Sequence, residues 1–271
     1  GFSYMPNTAE VAYFGWCKGM EEYLNEIKVQ RIMSWGKDFT EEKLHEMINR
    51  KIRQEKIAIK DVKLRTFITE DSTRNEMVQH VYDITYGTVR RMEDTIVVID
   101  DSIVRGTTLK ESIVRMLARL SPKKIIVVSS APQIRYPDCY GIDMSKLGDF
   151  IAFRAAIALL KEKDMQQVID AVYEQCKESI RNNQLHQENF VKQIYKSFTP
   201  EEISDKIAQL ITPQDLHIPV QVIYQKIKDL HKCCPTNTGD WYFTGNYPTP
   251  GGNKVVNKAF VNYYEGKNVR G

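Results

Sequence analysis

The run of β-branched residues from Ile96 to Ile99 constrains the fold of this chain more than any other feature of its sequence. A continuous apolar run of this kind is typical of a strand buried on both faces, as in a parallel sheet covered by helices. A second run, Ile125 to Val128, repeats the pattern. Between the two, apolar residues recur at helical spacing, namely Leu109, Ile113, Met116, Leu117 and Leu120. The sequence therefore predicts a strand–helix–strand unit and an α/β fold with a parallel sheet flanked by helices.

The rest of the chain is organised around this unit. The opening Phe2 to Thr8 has the pattern of a short strand and its turn, and Thr40 before two glutamates predicts a helix start. After Asp149 the periodicity is helical, with Thr199 before Pro-Glu-Glu predicting a further helix start, and we expect no further strand there. A cluster of Asn and Gln places a domain boundary near residue 185. We predict one domain over 1–185 and, over 186–271, a helical extension with an aromatic loop tail that packs back on it.

Charge and cysteine usage exclude several classes of protein. The net charge is only +3, which argues against nonspecific binding to nucleic acid or to an anionic membrane. The five cysteines lack C-x-x-C spacing, which argues against a disulfide framework and a zinc site. The sequence contains no long apolar run and no signal peptide, so we expect a cytoplasmic protein. Because it also lacks an initiator Met, we expect the chain to be part of a longer protein.

The stretch from Asp100 to Thr108 carries the chemistry. Ligands of open parallel sheets bind beyond the carboxyl ends of the strands, and Asp100 and Asp101 lie there. Gly106, Thr107 and Thr108 then open a helix, whose free N–H groups and dipole favour a phosphate, and Ser102 adds a hydroxyl donor. Carboxylates beside a phosphate cradle fit a sugar phosphate. Helix capping alone would also explain the two aspartates, but it requires neither Arg105 nor two threonines behind a glycine.

The segment from Val97 to Thr108 resembles the phosphoribosyl pyrophosphate (PRPP) signature of type I phosphoribosyltransferases. Its form Asp-Asp-Ser-Ile-Val-Arg-Gly-Thr-Thr, at residues 100–108, is similar to that of glutamine phosphoribosylpyrophosphate amidotransferases. The block from Ala131 to Met144 resembles the segment that follows the next strand in the same family. Two blocks in register therefore point to one family, and they imply a type I phosphoribosyltransferase-like fold over 1–185 with the C-terminal extension described above.

Further segments carry residues whose roles the resemblance implies. Met5 to Thr8 resembles the turn whose hydroxyl helps to hold Mg²⁺, which implies Thr8 as a metal ligand. Leu64 to Ile68 resembles the loop that closes over the substrate, which implies Arg65 as a catalytic cation. The segment from Phe243 to Thr249 is similar to the tail of some members.

The roles of the signature residues are likewise implied by the resemblance. Asp100 and Asp101 would act in catalysis and bind Mg²⁺. The implied substrate-binding residues are Ser102, Arg105, Gly106, Thr107 and Thr108.

The implied reaction is a phosphoribosyl transfer, in which ammonia displaces pyrophosphate from PRPP and gives phosphoribosylamine, the first step of purine synthesis. The glutaminase domain that supplies ammonia in the family is missing from this chain. We also expect a homo-oligomer and purine nucleotides as inhibitors. Two alternatives stay open: a paralogue that binds PRPP or purine nucleotides without turnover, and a salvage phosphoribosyltransferase for a free base. The block from Tyr140 to Met144 argues against the second.

The sequence departs from the family at two places. Leu64 stands where the closing loop usually has a glycine, which favours the non-catalytic alternative. Some members hold an iron–sulfur cluster, but Asp138, Gly239 and Tyr242 occupy the ligand positions here, so we predict no cluster. Cys17 is predicted to be a small buried residue inside a helix.

Overall fold

The structure is a computed structural model. It describes residues 1–5, 9–55, 57–60, 82–84, 87–107, 109–140, 144–237, 239–267 and 269, with the backbone alone for 58–60 and 82–84. Its main sheet has four parallel strands in the order β1-β4-β5-β6. These strands are Phe2–Tyr4 (β1), Thr95–Asp100 (β4), Lys124–Ser129 (β5) and Val220–Tyr224 (β6). Ala58–Lys60 (β2) and Tyr82–Ile84 (β3) form a separate antiparallel pair. The predicted parallel sheet is confirmed.

Helices flank the main sheet and fill most of the C-terminal half. The α-helices described are α1 (Glu10–Ser34), α2 (Glu41–Ile48), α3 (Arg115–Ala118), α4 (Ile151–Glu162), α5 (Gln166–Arg181), α6 (Lys192–Lys196), α7 (Pro200–Ile211), α8 (Ile227–Cys233), α9 (Trp241–Thr244) and α10 (Pro250–Tyr264). The crossover between β4 and β5 has π-helical turns over Leu109–Val114 that continue into α3. In the described part of the chain, no helix combines the length and apolarity needed to cross a membrane.

Side-chain caps define two of the predicted helix starts. Thr40 Oγ1 accepts a hydrogen bond from Lys43 N at 3.3 Å, and α2 begins at the next residue. At α7, Glu202 N donates to Thr199 Oγ1 at 3.1 Å, while Thr199 N donates to Glu202 Oε2 at 2.8 Å. This reciprocal pair is a capping box, and Pro200 at the first helical position strengthens it. The caps explain why these two starts could be predicted from sequence.

The expectation that no strand follows Asp149 was wrong, because β6 belongs to the main sheet. It pairs in parallel with β5, with Val222 opposite Val127. β6 is short and lies at the sheet edge, where Ile223 is 43% exposed while Val222 is buried. A brief run of mixed polarity between two helices carries little strand signal. Its place is determined by α7, which packs on both β6 and α4.

One face of the sheet forms the centre of the core. Ile96 and Val98 of β4 are completely buried, as are Ile125 and Val127 of β5. The core continues into the C-terminal half through the largest buried side chains of α4 and α10, Phe153 and Phe260, whose ring centroids lie 6.2 Å apart. Both parts of the predicted division at residue 185 thus contribute to one apolar cluster, and the division itself stays a prediction.

Candidate functional site

The carboxyl end of β4 brings the two predicted aspartates to the surface of the sheet. Asp101 N donates to Asp100 Oδ1 at 3.0 Å, and Ser102 N donates to Asp101 Oδ1 at 2.7 Å. Each carboxylate therefore uses one oxygen to stabilise the turn that leaves the strand. The other oxygen of each carboxylate accepts no backbone amide of the described residues, so it can accept a hydroxyl or bind a cation.

The two sequence blocks that resemble one family are neighbours in space. Ser130 N donates to the carbonyl oxygen of Asp100 at 2.9 Å, and Ala131 N donates to that of Asp101 at 3.1 Å. Ser130 Oγ donates to the same Asp101 oxygen at 2.9 Å. The chain that leaves β5 therefore supports the backbone of both aspartates and sets their position at the sheet end.

After the aspartates, the chain presents unpaired amides at the start of a helix. Within the described residues, the N–H groups from Val104 to Thr107 make no hydrogen bond, whereas Lys110 N already donates to the Gly106 carbonyl oxygen at 3.0 Å. Free amides at a helix start attract anions, because they are donors at the positive end of the helix dipole. These amides lie in the segment for which the sequence predicts a phosphate cradle, and that role stays a prediction.

This loop is held by α4, a helix of the C-terminal half. Ile151 N, at the start of α4, donates to the Val104 carbonyl oxygen at 2.7 Å, and Arg154 Nη2 donates to that of Arg105 at 2.5 Å. Gly106 has φ +73°, and a Cβ there would lie 2.9 Å from Ile151 Cδ1. Only glycine adopts this backbone conformation readily and leaves room for the helix. The carbonyls thus point into α4, and the amides are left for a ligand.

Burial and charge act together on Asp100. Burial is the main cause that raises the pKa of its carboxyl to about 7, and the neighbouring charge of Asp101 adds to the effect. Among the described residues, no basic side chain forms a salt bridge with Asp100. A carboxylate held in this way is stabilised by an added cation or by hydroxyl donors, and this property suits a ligand site.

Arg105 has an acidic neighbour beyond the loop. Its Nη2 lies 3.8 Å from Asp149 Oδ2, and both side chains are about half exposed. Asp149 lies just before the start of α4, so this pair connects the loop to that helix start. The role of Arg105 in substrate binding stays a prediction.

The second block is supported by buried polar contacts. Gln133 Nε2 donates to Ser204 Oγ at 2.9 Å and to the Pro200 carbonyl oxygen at 2.7 Å, while Arg135 Nη2 donates to Gln133 Oε1 at 2.7 Å. A cleft of about 520 Å³ lies beside these residues, between α7 and β6. The block is therefore anchored to the start of α7.

The aromatic tail packs on the same block. Tyr247 Oη donates to the Pro137 carbonyl oxygen at 2.7 Å, and Tyr242 Oη donates to Asp138 Oδ1 at 3.1 Å. Gly245, with φ +71°, lies so close to the ring of Tyr136 that a Cβ would approach it to 2.8 Å. Asp138 and Tyr242 stand at two positions where some members of the resembled family have cysteines that hold an iron–sulfur cluster. Here the two side chains are hydrogen-bonded to each other.

Several predicted residues are not covered by these observations. Thr8, Arg65 and Thr108 lie outside the described residues, as does the 141–143 part of the second block. The loop of 61–67 lies outside them too. Cys17 is buried in α1, as predicted, while Cys233 and Cys234 are exposed. The described residues contain no group of three or more His, Cys, Asp or Glu able to hold a metal.

Sequence reasoning missed one residue of this region, Tyr224. It ends β6, in the row that continues from Asp100 through Ser129. Its hydroxyl is buried and has no hydrogen-bond partner in the described part of the chain. Because β6 was not recognised as a strand, no signal in the sequence linked Tyr224 to the aspartates.

The parallel sheet thus carries, at its carboxyl edge, two neighbouring carboxylates followed by amides without a partner among the described residues, all within one strand–helix turn. The chain is similar to curated amidophosphoribosyltransferases. It is 36% identical to that of Escherichia coli over 89 residues, 30% of this chain and 17% of the relative. It is 30% identical to that of Saccharomyces cerevisiae over 158 residues, 57% of this chain and 20% of the relative. The resemblance found in the sequence is confirmed.

The matched segments span a fifth or less of the length of these relatives. A solved structure of glutamine PRPP amidotransferase from B. subtilis, complexed with ADP and GMP, covers 92% of this chain at 21% identity with a TM-score of 0.49, and the match spans 38% of that structure's chain. No family model matches the chain.

Proposed function

We propose that this chain carries the phosphoribosyl-transfer site of an amidophosphoribosyltransferase. Its substrate is PRPP, and ammonia displaces pyrophosphate from the anomeric carbon to give phosphoribosylamine. The observation that carries the proposal is the pairing of two carboxylates with four free amides, from Val104 to Thr107, within one turn between β4 and the next helix. Similarity to curated amidophosphoribosyltransferases supports it.

Each part of the turn has a place in this reaction. The amides and the hydroxyls of Ser102 and Thr107 bind the 5′-phosphate, because a helix start offers several donors and a favourable dipole. Asp100 and Asp101 accept the ribose hydroxyls and stabilise the positive charge that develops on the ribose as the C–O bond breaks. The substrate is thus held at both ends, with its anomeric carbon between them.

The two aspartates also fit a magnesium ion, provided that the substrate completes its coordination. Mg²⁺ is bound in proteins by one or two carboxylates together with substrate phosphates and water, so two carboxylates without a third protein ligand suit it. When bound, Mg²⁺ would neutralise charge on the departing pyrophosphate. We propose Thr8 as a further ligand and Arg65 as the cation on the leaving group, both from the resemblance.

The direct test measures pyrophosphate release from PRPP, ammonia and Mg²⁺. We expect the double variant Asp100→Asn plus Asp101→Asn to lose at least 100-fold in rate, the scale typical of lost electrostatic stabilisation. Asp229→Asn is the matched control, since this carboxylate is exposed on α8 and pairs with Lys232. Full activity of the double variant would contradict the assigned roles.

The second candidate is a module that binds PRPP or a purine nucleotide without turnover. Leu64, which replaces the usual glycine before Arg65, favours it. Calorimetry decides between the two: binding of PRPP with no product from any amine selects the binding module. Release of pyrophosphate with a free base as acceptor would instead select a salvage enzyme.

A further inference from the structure

Two of the free amides of the site loop belong to peptide groups that α4 holds by their carbonyl oxygens. The peptide group between Val104 and Arg105 carries the Arg105 N–H, and its carbonyl oxygen accepts from Ile151 N at 2.7 Å. The next peptide group carries the Gly106 N–H, and its carbonyl oxygen accepts from Arg154 Nη2 at 2.5 Å. Neither amide has a partner among the described residues. The helix therefore acts on both amides from behind.

The planar peptide bond converts the Arg154 contact into a direction for the Gly106 amide. In a trans peptide the C=O and N–H bonds point in opposite directions, and no described peptide bond is cis. Because the Arg105 carbonyl is held by Arg154, the N–H of the same peptide group points away from that guanidinium. Glycine would otherwise leave this peptide plane free to rotate, since it has no Cβ to restrict it.

The same contact makes the Gly106 amide a stronger donor. A hydrogen bond accepted by a carbonyl oxygen polarises its peptide group, and a charged donor has a larger effect than a neutral one. The guanidinium of Arg154 is charged at any physiological pH. The Gly106 N–H therefore carries more positive charge than the N–H of a peptide group without this contact, and it attracts an anion more strongly.

The charge of Arg154 is not neutralised by a direct ion pair in the described part of the chain. Asp149, the acidic group that acts on it electrostatically, lies 3.8 Å from Arg105 Nη2 instead. One peptide group, roughly 8 Å in all, would separate the guanidinium from an anion bound at the Gly106 N–H. That distance is about one Debye length at physiological ionic strength, so part of the attraction survives screening by salt.

We propose that Arg154 is a positioning residue of the anion-binding loop. By holding the Arg105 carbonyl oxygen it directs and polarises the Gly106 N–H, which then binds the phosphate of the ligand. Arg154 acts through this peptide group and does not contact the ligand. The identity of the anion as the 5′-phosphate of PRPP rests on the proposed function, whereas the coupling of Arg154 to the Gly106 amide does not.

The first test observes this peptide group directly, in the full chain without ligand. The dipeptide Arg-Gly occurs in the sequence only at 105–106 and at 270–271. Protein with ¹³C at the arginine carbonyl and ¹⁵N at glycine therefore gives two correlated carbonyl–amide signals by NMR. Deletion of residue 271 removes one of them and assigns the other to the loop.

We expect Arg154→Ala to shift both the carbonyl carbon of Arg105 and the amide of Gly106, because the peptide group loses its hydrogen bond. Lys161→Ala is the matched control, since it removes one positive charge from the last turn of the same helix. It should leave both resonances in place. Unchanged resonances in Arg154→Ala, or equal shifts in the two variants, would overturn the proposal.

The second test separates the two ends of the ligand by calorimetry. Ribose 5-phosphate probes the amide end of the site, and pyrophosphate with Mg²⁺ probes the aspartate end. We expect Arg154→Ala to bind ribose 5-phosphate roughly tenfold more weakly, because the amide loses a charge-assisted contact, and to bind pyrophosphate as the unaltered chain does. Arg154→Lys keeps a charged donor and should recover most of the affinity, while Lys161→Ala should lose none.

The two proposals fail in different ways. Unchanged affinity of Arg154→Ala for ribose 5-phosphate contradicts the positioning role, and so does an equal loss for both probes, which would indicate general damage to the site. If the unaltered chain binds neither probe nor PRPP, the proposed function is wrong. The resonances of the peptide group between Arg105 and Gly106 then still decide whether Arg154 controls the loop amide.

Discussion

The buried carboxyl of Asp100 destabilises the folded chain when it ionises, and the same carboxyl belongs to the candidate site. Its pKa is raised to about 7 from an ordinary value of 3.8, mainly because the ionised form is desolvated. Below the pKa of the unfolded chain the carboxyl is protonated in both states, so it carries no penalty there. As the pH rises toward 7 the unfolded chain ionises first, and the folded state is destabilised relative to it. Above 7 the penalty is constant.

The first prediction follows from that sign. In metal-free buffer, the free energy of unfolding of Asp100→Asn should exceed that of the unaltered chain by on the order of 4 kcal/mol at pH 8, since the pKa of Asp100 is raised from 3.8 to about 7 and each pKa unit is worth about 1.4 kcal/mol. The advantage should shrink between pH 7 and 4 and vanish near 4. Urea unfolding at a series of pH values measures it. A variant less stable than the unaltered chain at pH 8 would contradict the account.

Asp215 provides a control of opposite sign for this experiment. The Arg115 guanidinium, 2.7 Å away, lowers the pKa of this exposed carboxyl. Its contribution to stability is present above the unfolded pKa and is lost as the pH falls. Asp215→Asn should therefore gain nothing at pH 8.

The second prediction concerns the backbone conformation of Gly106. With φ +73° and Ile151 Cδ1 at 2.9 Å from an added Cβ, Gly106→Ala must strain the backbone and shift the Ile151 side chain. We expect a loss of about 2 kcal/mol in the free energy of unfolding together with weaker PRPP binding.

The matched glycine is Gly15, which lies in α1 with nothing within 4 Å of an added Cβ. Gly15→Ala should stabilise the chain by up to about 1 kcal/mol, because alanine is the better helix former. Chemical denaturation measures the free energy of unfolding of both variants. If the two substitutions change it equally, the left-handed conformation of Gly106 does not require glycine.

Among the elements, α7 connects the edge strand, the second block and the loop of the site. Its first turn holds Gln133 through Pro200 and Ser204, and its last residue, Ile211, lies 3.2 Å from a Cβ built on Gly106. The helix start could be predicted from the local pattern Thr-Pro-Glu-Glu. Its contacts could not, because they join segments more than 60 residues apart in the chain.

The third prediction tests the α7 cap. Thr199→Ala removes the hydroxyl that accepts from Glu202 N at 3.1 Å, and it should cost about 1 kcal/mol of stability. Thr199→Ser keeps the hydroxyl and should cost only a few tenths. Thermal unfolding of both variants measures the difference, and the cap is unimportant if Ala and Ser behave alike.

For the whole molecule, a buried asparagine ties the last helix to the middle of the chain. Asn257 is completely buried; its Nδ2 donates to the carbonyl oxygens of Leu185 and Glu188, and its Oδ1 accepts from Phe190 N at 3.1 Å. The bond to Leu185 crosses the predicted domain boundary, whereas the bonds to Glu188 and Phe190 lie within 186–271. This bond and the shared apolar core join the extension to the first part, and we expect both parts to unfold together.

The fourth prediction concerns this link. Asn257→Ala leaves one buried and two part-buried polar groups without this partner, and it should lower the unfolding free energy by about 2–3 kcal/mol. Asn253→Ala, on the same helix, removes one exposed bond to the His186 carbonyl oxygen and should cost under 1 kcal/mol. Unfolding followed by circular dichroism and by tryptophan fluorescence should show one coincident transition, and separated transitions would indicate independent domains.

The sequence by itself determined the parallel strands, the crossover helix and the carboxylate–glycine–threonine turn, because hydrophobic period, capping and turn chemistry act over a few residues. Only the tertiary structure decided that β6 completes the sheet, that Ser130 and Ala131 support the aspartates, and that Tyr224 lies in the row of Asp100. Those relations depend on which distant segments share buried surface and hydrogen bonds. The packing of the whole chain decides which segments meet, and no local sequence pattern indicates it.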